Sequence, residues 1–97
     1  MYNKILSQLT KKIKILTLGK TSFFWVERNG NIFQIINSKN KPYPVDLELF
    51  KLILERYKSL KIEIRFKTGQ YTDPKWKDCP SRNFSPYVAA IIRHFEN

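Results

Sequence analysis

The chain has 97 residues, with 18 Lys and Arg against 8 Asp and Glu, a formal net charge of +10, and a single cysteine. At this length one domain is expected, able to bury roughly 60–70% of its unfolded surface without staples; the lone Cys79 excludes an internal disulfide and fits a reducing compartment, the cytoplasm. Lys11, Lys12 and Lys14 interrupt the N-terminal apolar residues, so neither a signal peptide nor a membrane-spanning segment is expected.

Residues 2–12 place Ile5, Leu6 and Leu9, and then Ile13, at helical spacing, which predicts a short amphipathic helix. The β-branched run from Ile13 to Leu18 predicts a strand ended by Gly19-Lys20. Ser22 to Asn37 carries the strongest local signal, two apolar runs joined at Asn29-Gly30. A two-residue type I′ turn needs φ > 0 at both central positions, and Asn-Gly tolerates this best. That turn pairs Phe24 with Ile35 and Val26 with Phe33 on one apolar face. The other face mixes Phe23, Trp25 and Ile36 with Glu27 and Gln34, so it is expected to be covered at one end only or used for binding. With strand 13–18 the hairpin makes a meander. Ser38 to Pro44 is expected to be a turn-rich connector.

Asp46 is the expected N-cap of the next helix. Val45 and Phe50 stand at the spacing of a hydrophobic staple, and Leu47, Phe50, Leu54 and Tyr57, with Leu49 and Ile53, form its apolar stripe. Glu48, Lys51, Glu55 and Lys58 mark its solvated side. Lys61 to Lys67 alternates strictly, which predicts a strand with Ile62, Ile64 and Phe66 buried. Thr68 to Phe84 has no periodicity and reads as a long loop. A final helix is expected from Ser85 as N-cap and Pro86 as N1, with Val88, Ile91, Ile92 and Phe95 on one stripe and Ala89 and Ala90 permitting close approach. The fold class is α+β: an antiparallel sheet of about four strands, two amphipathic helices on one face, and the short N-terminal helix.

The charge excess points to polyanionic partners, because it raises their local concentration and speeds their capture. It is concentrated before residue 45, where Lys4, Lys11, Lys12, Lys14, Lys20, Arg28, Lys39 and Lys41 face Glu27 alone. An AT-rich genome, which enriches Lys, Asn and Ile together, is the other source of such a bias.

Catalytic signatures are weak. Gly19-Lys20-Thr21 imitates the end of a P-loop, but position 14 is Lys where the loop needs glycine, and a strand follows in place of a helix. His94 and Cys79 stand alone in their classes and in different elements, which excludes an intrachain structural zinc and leaves no expected metal or cofactor. His94 suits a helix C-terminus, and no Gly-x-Ser-x-Gly supplies a nucleophile for it. Asp73-Pro74-Lys75 looks like part of a nuclease motif, yet metal-assisted cleavage needs two carboxylates on rigid elements. No enzyme is expected.

Binding signatures are stronger. Lys75-Trp76-Lys77, followed by Arg82, Asn83 and Phe84, interleaves cations with aromatic rings, as sites that neutralise phosphate and stack on exposed bases do. Trp76 and Trp25 are each also good core anchors. The expected interface with nucleic acid, DNA before RNA, is Lys11, Lys12, Lys14, Lys20, Lys39 and Lys41, extended by Lys75, Trp76, Lys77 and Arg82. The alternative is a protein-interaction or accessory subunit, a homodimer among the options, docking through Phe23, Trp25 and Ile36. Membrane attachment is not expected, since the N-terminal helix is short and weakly apolar.

Gly19-Lys20 before a strand, the hairpin, Ser38-Lys39-Asn40-Lys41 leading into a helix and the closing Ser85–Phe95 segment together resemble the layout of small uncharacterised domains attached to bacterial restriction and defence proteins. The resemblance covers most of the chain and implies a DNA-associated accessory role, with no catalytic residue carried over.

Overall fold

Period-two alternation builds the sheet. The computed structural model describes residues 1–37, 39 and 41–96, with β1 (Ile13–Leu16), β2 (Phe23–Asn29), β3 (Ile32–Ile36) and β4 (Pro42–Val45) forming one antiparallel sheet in chain order. Ile13 and Ile15 pair with Val26 and Phe24, Val26 with Ile35, and Phe33 with Val45, so these residues share one face. All but the half-buried Ile13 are at most 1% exposed. Their opposite-facing neighbours form the rows Leu16–Phe23 and Lys14–Trp25–Ile36–Pro42, and Glu27–Gln34–Pro44.

Helices α1 (Tyr2–Gln8), α2 (Leu47–Ser59), α3 (Gly69–Thr72) and α4 (Ser85–Glu96) supply the other layer. Asp46 caps α2 as expected, its carboxylate accepting from the Leu49 N–H at 2.9 Å. Val45 and Phe50 are both buried around that cap, as a staple requires. Phe50, Ile53 and Tyr57 face the core, while Leu47 lies outside it at 43% exposure. In α4 every residue from Val88 to Ile92 is buried, because α2, α3 and β1 all pack around this helix. Ala89 and Ala90 make that crowding sterically feasible. Tyr2 ties α1 to the sheet: its ring sits 5.5 Å from Phe33 and 5.4 Å from Phe50, and its hydroxyl donates to the Asn31 and Val45 carbonyls at 3.1 Å each.

The structure corrects four expectations. The hairpin turns on Gly30-Asn31, not Asn29-Gly30: Asn29 pairs with Ile32, and of the two turn residues Gly30 has positive φ, +65°, and Asn31 does not, the pattern of a type II′ turn. The register slips by a full period of two, so Phe24 and Val26 stay on the same face as Phe33 and Ile35. Lys61–Lys67 is not a strand but a series of turns, with Ile64 and Arg65 N–H groups donating to the Lys61 carbonyl and Lys67 to Ile64. Arg65 there turns inward, its guanidinium donating to the Leu60 carbonyl at 3.0 Å and lying 4.9 Å from the Tyr57 ring centre, while Ile62 is 62% exposed. The fourth strand is instead β4, inside the expected connector; Ser38 and Asn40 of that connector lie outside the described residues. Prolines lack the ladder's N–H donor and belong at a border, and β4 is the border strand. Lastly, Ser85 is the first residue of α4 and does not cap it: its buried hydroxyl donates back to the Ser81 carbonyl at 2.5 Å.

Candidate nucleic-acid interface

With all helices on the inner side, the outer sheet face is left open. Its two aromatic residues are there by register: Phe23 and Trp25 alternate with the buried Phe24 and Val26 along β2. They are 52% and 39% exposed. Cations from β1 and the residue before it lie on them. The Lys14 ammonium is 4.4 Å from the Phe23 ring centre and 5.9 Å from that of Trp25, and the Lys12 ammonium is 5.3 Å from Trp25. Such contacts contribute about 0.5–1 kcal/mol each at exposed sites, enough to hold an ammonium beside a ring without trapping it there. The one carboxylate in the rows of this face, Glu27, accepts from the Gln34 amide at 2.6 Å. Ile36, Leu16, Pro42 and Pro44 complete the surface with apolar atoms.

Three further N-terminal cations, Lys20, Lys39 and Lys41, lie at one end of the sheet. Because Leu16 pairs with Phe23 and Trp25 with Ile36, the β1–β2 and β3–β4 connections leave the sheet at the same end. Lys20 sits in the first, its backbone held at φ +59° with its N–H donating to the Thr17 carbonyl at 3.0 Å. Lys39 and Lys41 sit in the second, and their N–H groups converge on the Asn37 side-chain carbonyl at 3.0 and 3.4 Å. Their side chains are exposed. Arg82 reaches this end from the other side, lining with Gly19, Thr21 and Tyr87 a cleft of about 380 Å³. Lys11 is exposed at the opposite end, just before β1.

Lys75, Trp76 and Lys77 do not join this surface. Trp76 is half-buried on the helical side, edge-on to Tyr71 with ring centres 6.4 Å apart and with the Arg56 guanidinium 5.4 Å from its ring. Trp76 is therefore an anchor that orders the loop, and Glu55 and Asp78 line the same groove beside it. Lys75 and Lys77 on either side of Trp76 are exposed. Phe84 of the same loop stacks on Tyr43 of β4, with ring centres 4.9 Å apart.

The groups weighed for catalysis stay apart. Cys79 lies at the start of α4, its sulfur 3.7 Å from the Ser85 hydroxyl, whereas the exposed His94 lies near the far end, about 14 Å away by helical rise. Asp46 is taken up by its cap and Asp73 lies 4.0 Å from the Arg56 guanidinium. Among the described residues no group of three His, Cys, Asp or Glu is placed to hold a metal ion, and no helix is long and apolar enough to cross a membrane.

Sequence reasoning found Phe23, Trp25 and Ile36 on the open face but missed Leu16, Pro42 and Pro44. Alternation from Ile13 pointed to Leu16; the β4 pair was hidden by reading its prolines as a connector. Compared with protein-family models, curated proteins and solved structures, the chain matches none.

Proposed function

We propose that this chain is a non-catalytic nucleic-acid-binding module that uses the open face of its sheet. The observation that carries the reading is the coincidence of Phe23 and Trp25 with Lys12 and Lys14 on that face, next to the end where Lys20, Lys39 and Lys41 gather. Ammonium groups neutralise phosphates and flat rings stack on bases, and a surface that offers both with a single engaged carboxylate suits a polyanion bearing aromatic groups. The layout resemblance favours DNA over RNA. If the five lysines each neutralise one phosphate, log affinity falls with log salt at a slope between about −3.5 for single strands and −4.5 for duplex. Filter binding or fluorescence anisotropy at several salt concentrations measures it, and a slope near zero removes the reading.

A second reading, docking of another protein or a second copy, is favoured by the apolar Leu16, Ile36, Pro42 and Pro44 around the same two rings. Sedimentation equilibrium separates the two. A stable dimer with no affinity for polyanions supports the second reading.

A further inference from the structure

We propose that the sheet face takes a single strand, not a duplex, with successive bases on Phe23 and Trp25; the inference rests on the nucleic-acid reading above and names its ligand class. The first reason is width. Four strands spaced about 4.8 Å apart put β1 and β4 about 14 Å from each other before any side chain is added, and the major groove is only about 12 Å wide. A groove of that size admits a helix or a two-stranded ribbon, so this face cannot reach base edges inside a duplex.

No helix substitutes for it. The long helix with an open side, α2, shows solvent a mixed row of Glu48, Lys51, Glu55 and Lys58, and α4 is enclosed from Val88 to Ile92. Neither presents a basic edge to a groove.

The second reason is spacing. Phe23 and Trp25 are two residues apart on one strand and therefore about 6.8 Å apart along it, twice the roughly 3.4 Å step between neighbouring bases of a stacked strand. Two consecutive bases can occupy both rings only after being unstacked from each other, which a free strand does at low cost and a paired one does not. The lysines fit the same path. Lys14 of β1 and Lys12 just before it flank the rings, and Lys20, Lys39 and Lys41 lie where a backbone running along β2 leaves the sheet.

The test compares the affinity of the whole chain for an oligothymidylate of about ten nucleotides with that for a duplex of equal length, at one salt concentration, by anisotropy of labelled probes. Single-strand binding tighter by tenfold or more is expected. Trp25→Ala is expected to weaken single-strand binding by about 5- to 150-fold, the loss of one stacked base, and to weaken duplex binding less than that. Phe23→Ala repeats the measurement at the neighbouring ring, and circular dichroism establishes that both variants are folded. Duplex affinity equal to or above single-strand affinity, or a Trp25→Ala chain that binds the oligothymidylate as the parent does, overturns the inference while leaving nucleic-acid binding in place. Binding to neither probe, with a dimer seen in solution, overturns both.

Discussion

Tyr57 and Tyr71 place one chemical group in two situations. Both side chains are buried to 1% exposure or less, but the Tyr71 hydroxyl donates to the Arg65 carbonyl at 2.6 Å, while the Tyr57 hydroxyl has no hydrogen-bond partner among the described residues. Removing a made hydrogen bond costs about 1 kcal/mol and removing an unmade one close to nothing, so urea denaturation is expected to show Tyr71→Phe destabilised by about that amount and Tyr57→Phe little changed. Burial pushes both phenols well above their ordinary value of 10.0, with the Glu96 carboxylate adding to the effect at Tyr57. The folded chain therefore keeps two protons that the unfolded chain releases above pH 10. Their contribution is fully present below that pH and is lost as pH rises through it, so melting temperature is expected to fall above about pH 10, less steeply in the Tyr57→Phe, Tyr71→Phe double variant. Equal slopes for parent and double variant refute this.

At the level of elements, what could be read from the sequence depended on whether local chemistry and tertiary context agreed. They agreed for α2: Asp46 was readable as a cap because its carboxylate needs only the N–H three residues on, and Asp46→Ala is expected to cost about 1 kcal/mol in thermal or urea unfolding. The hairpin was half readable. Alternation of Phe24, Val26, Phe33 and Ile35 fixed its faces, but a slip of two residues leaves every face unchanged, so the pattern was silent between Asn29-Gly30 and Gly30-Asn31. Context overruled pattern at Lys61–Lys67, where Arg65 was worth more inside, over Tyr57 and on the Leu60 carbonyl, than on a wet strand face. The prolines of β4 read as part of a turn-rich connector, yet proline is excluded only from a central strand, and the extended geometry it favours suits a border one. Of the proposed binding surface, the cations and both rings were legible in the sequence but not their grouping. Lys20, Lys39 and Lys41 lie at one end of the sheet because β1–β2 and β3–β4 turn there, a fact of strand order that no single segment contains. Lys20 also holds a left-handed backbone that a side chain disfavours by about 1–2 kcal/mol. Lys20→Gly is accordingly expected to raise stability by about 1 kcal/mol and to lower nucleic-acid affinity, with unfolding and binding measured on the same sample.

For the whole molecule, the division of labour between two sides follows from where the apolar mass is. The inner side of the sheet is closed by Phe50, Ile53, Tyr57 and the run from Val88 to Ile92, which leaves the outer side of the sheet open to solvent. Trp76, the ring most easily mistaken for a stacking platform, is spent on ordering the segment between α3 and α4 against Tyr71 and Arg56. Trp25 is the freer reporter of ligand. Its emission is expected to change on titration while that of Trp76 stays constant, which the Trp25→Phe variant checks by losing the response.

The sheet's two borders carry a consequence for assembly. On β4 two of four residues are prolines, and at the end of β1 Arg93 already donates to the carbonyls of Leu16 and Thr17 at 2.8 and 3.2 Å. Neither margin invites a neighbouring chain to extend the ladder. Self-association, where it happens, is thereby steered to stacking of flat surfaces instead of endless lateral growth, and prolonged agitation at high concentration should yield no thioflavin-positive fibres.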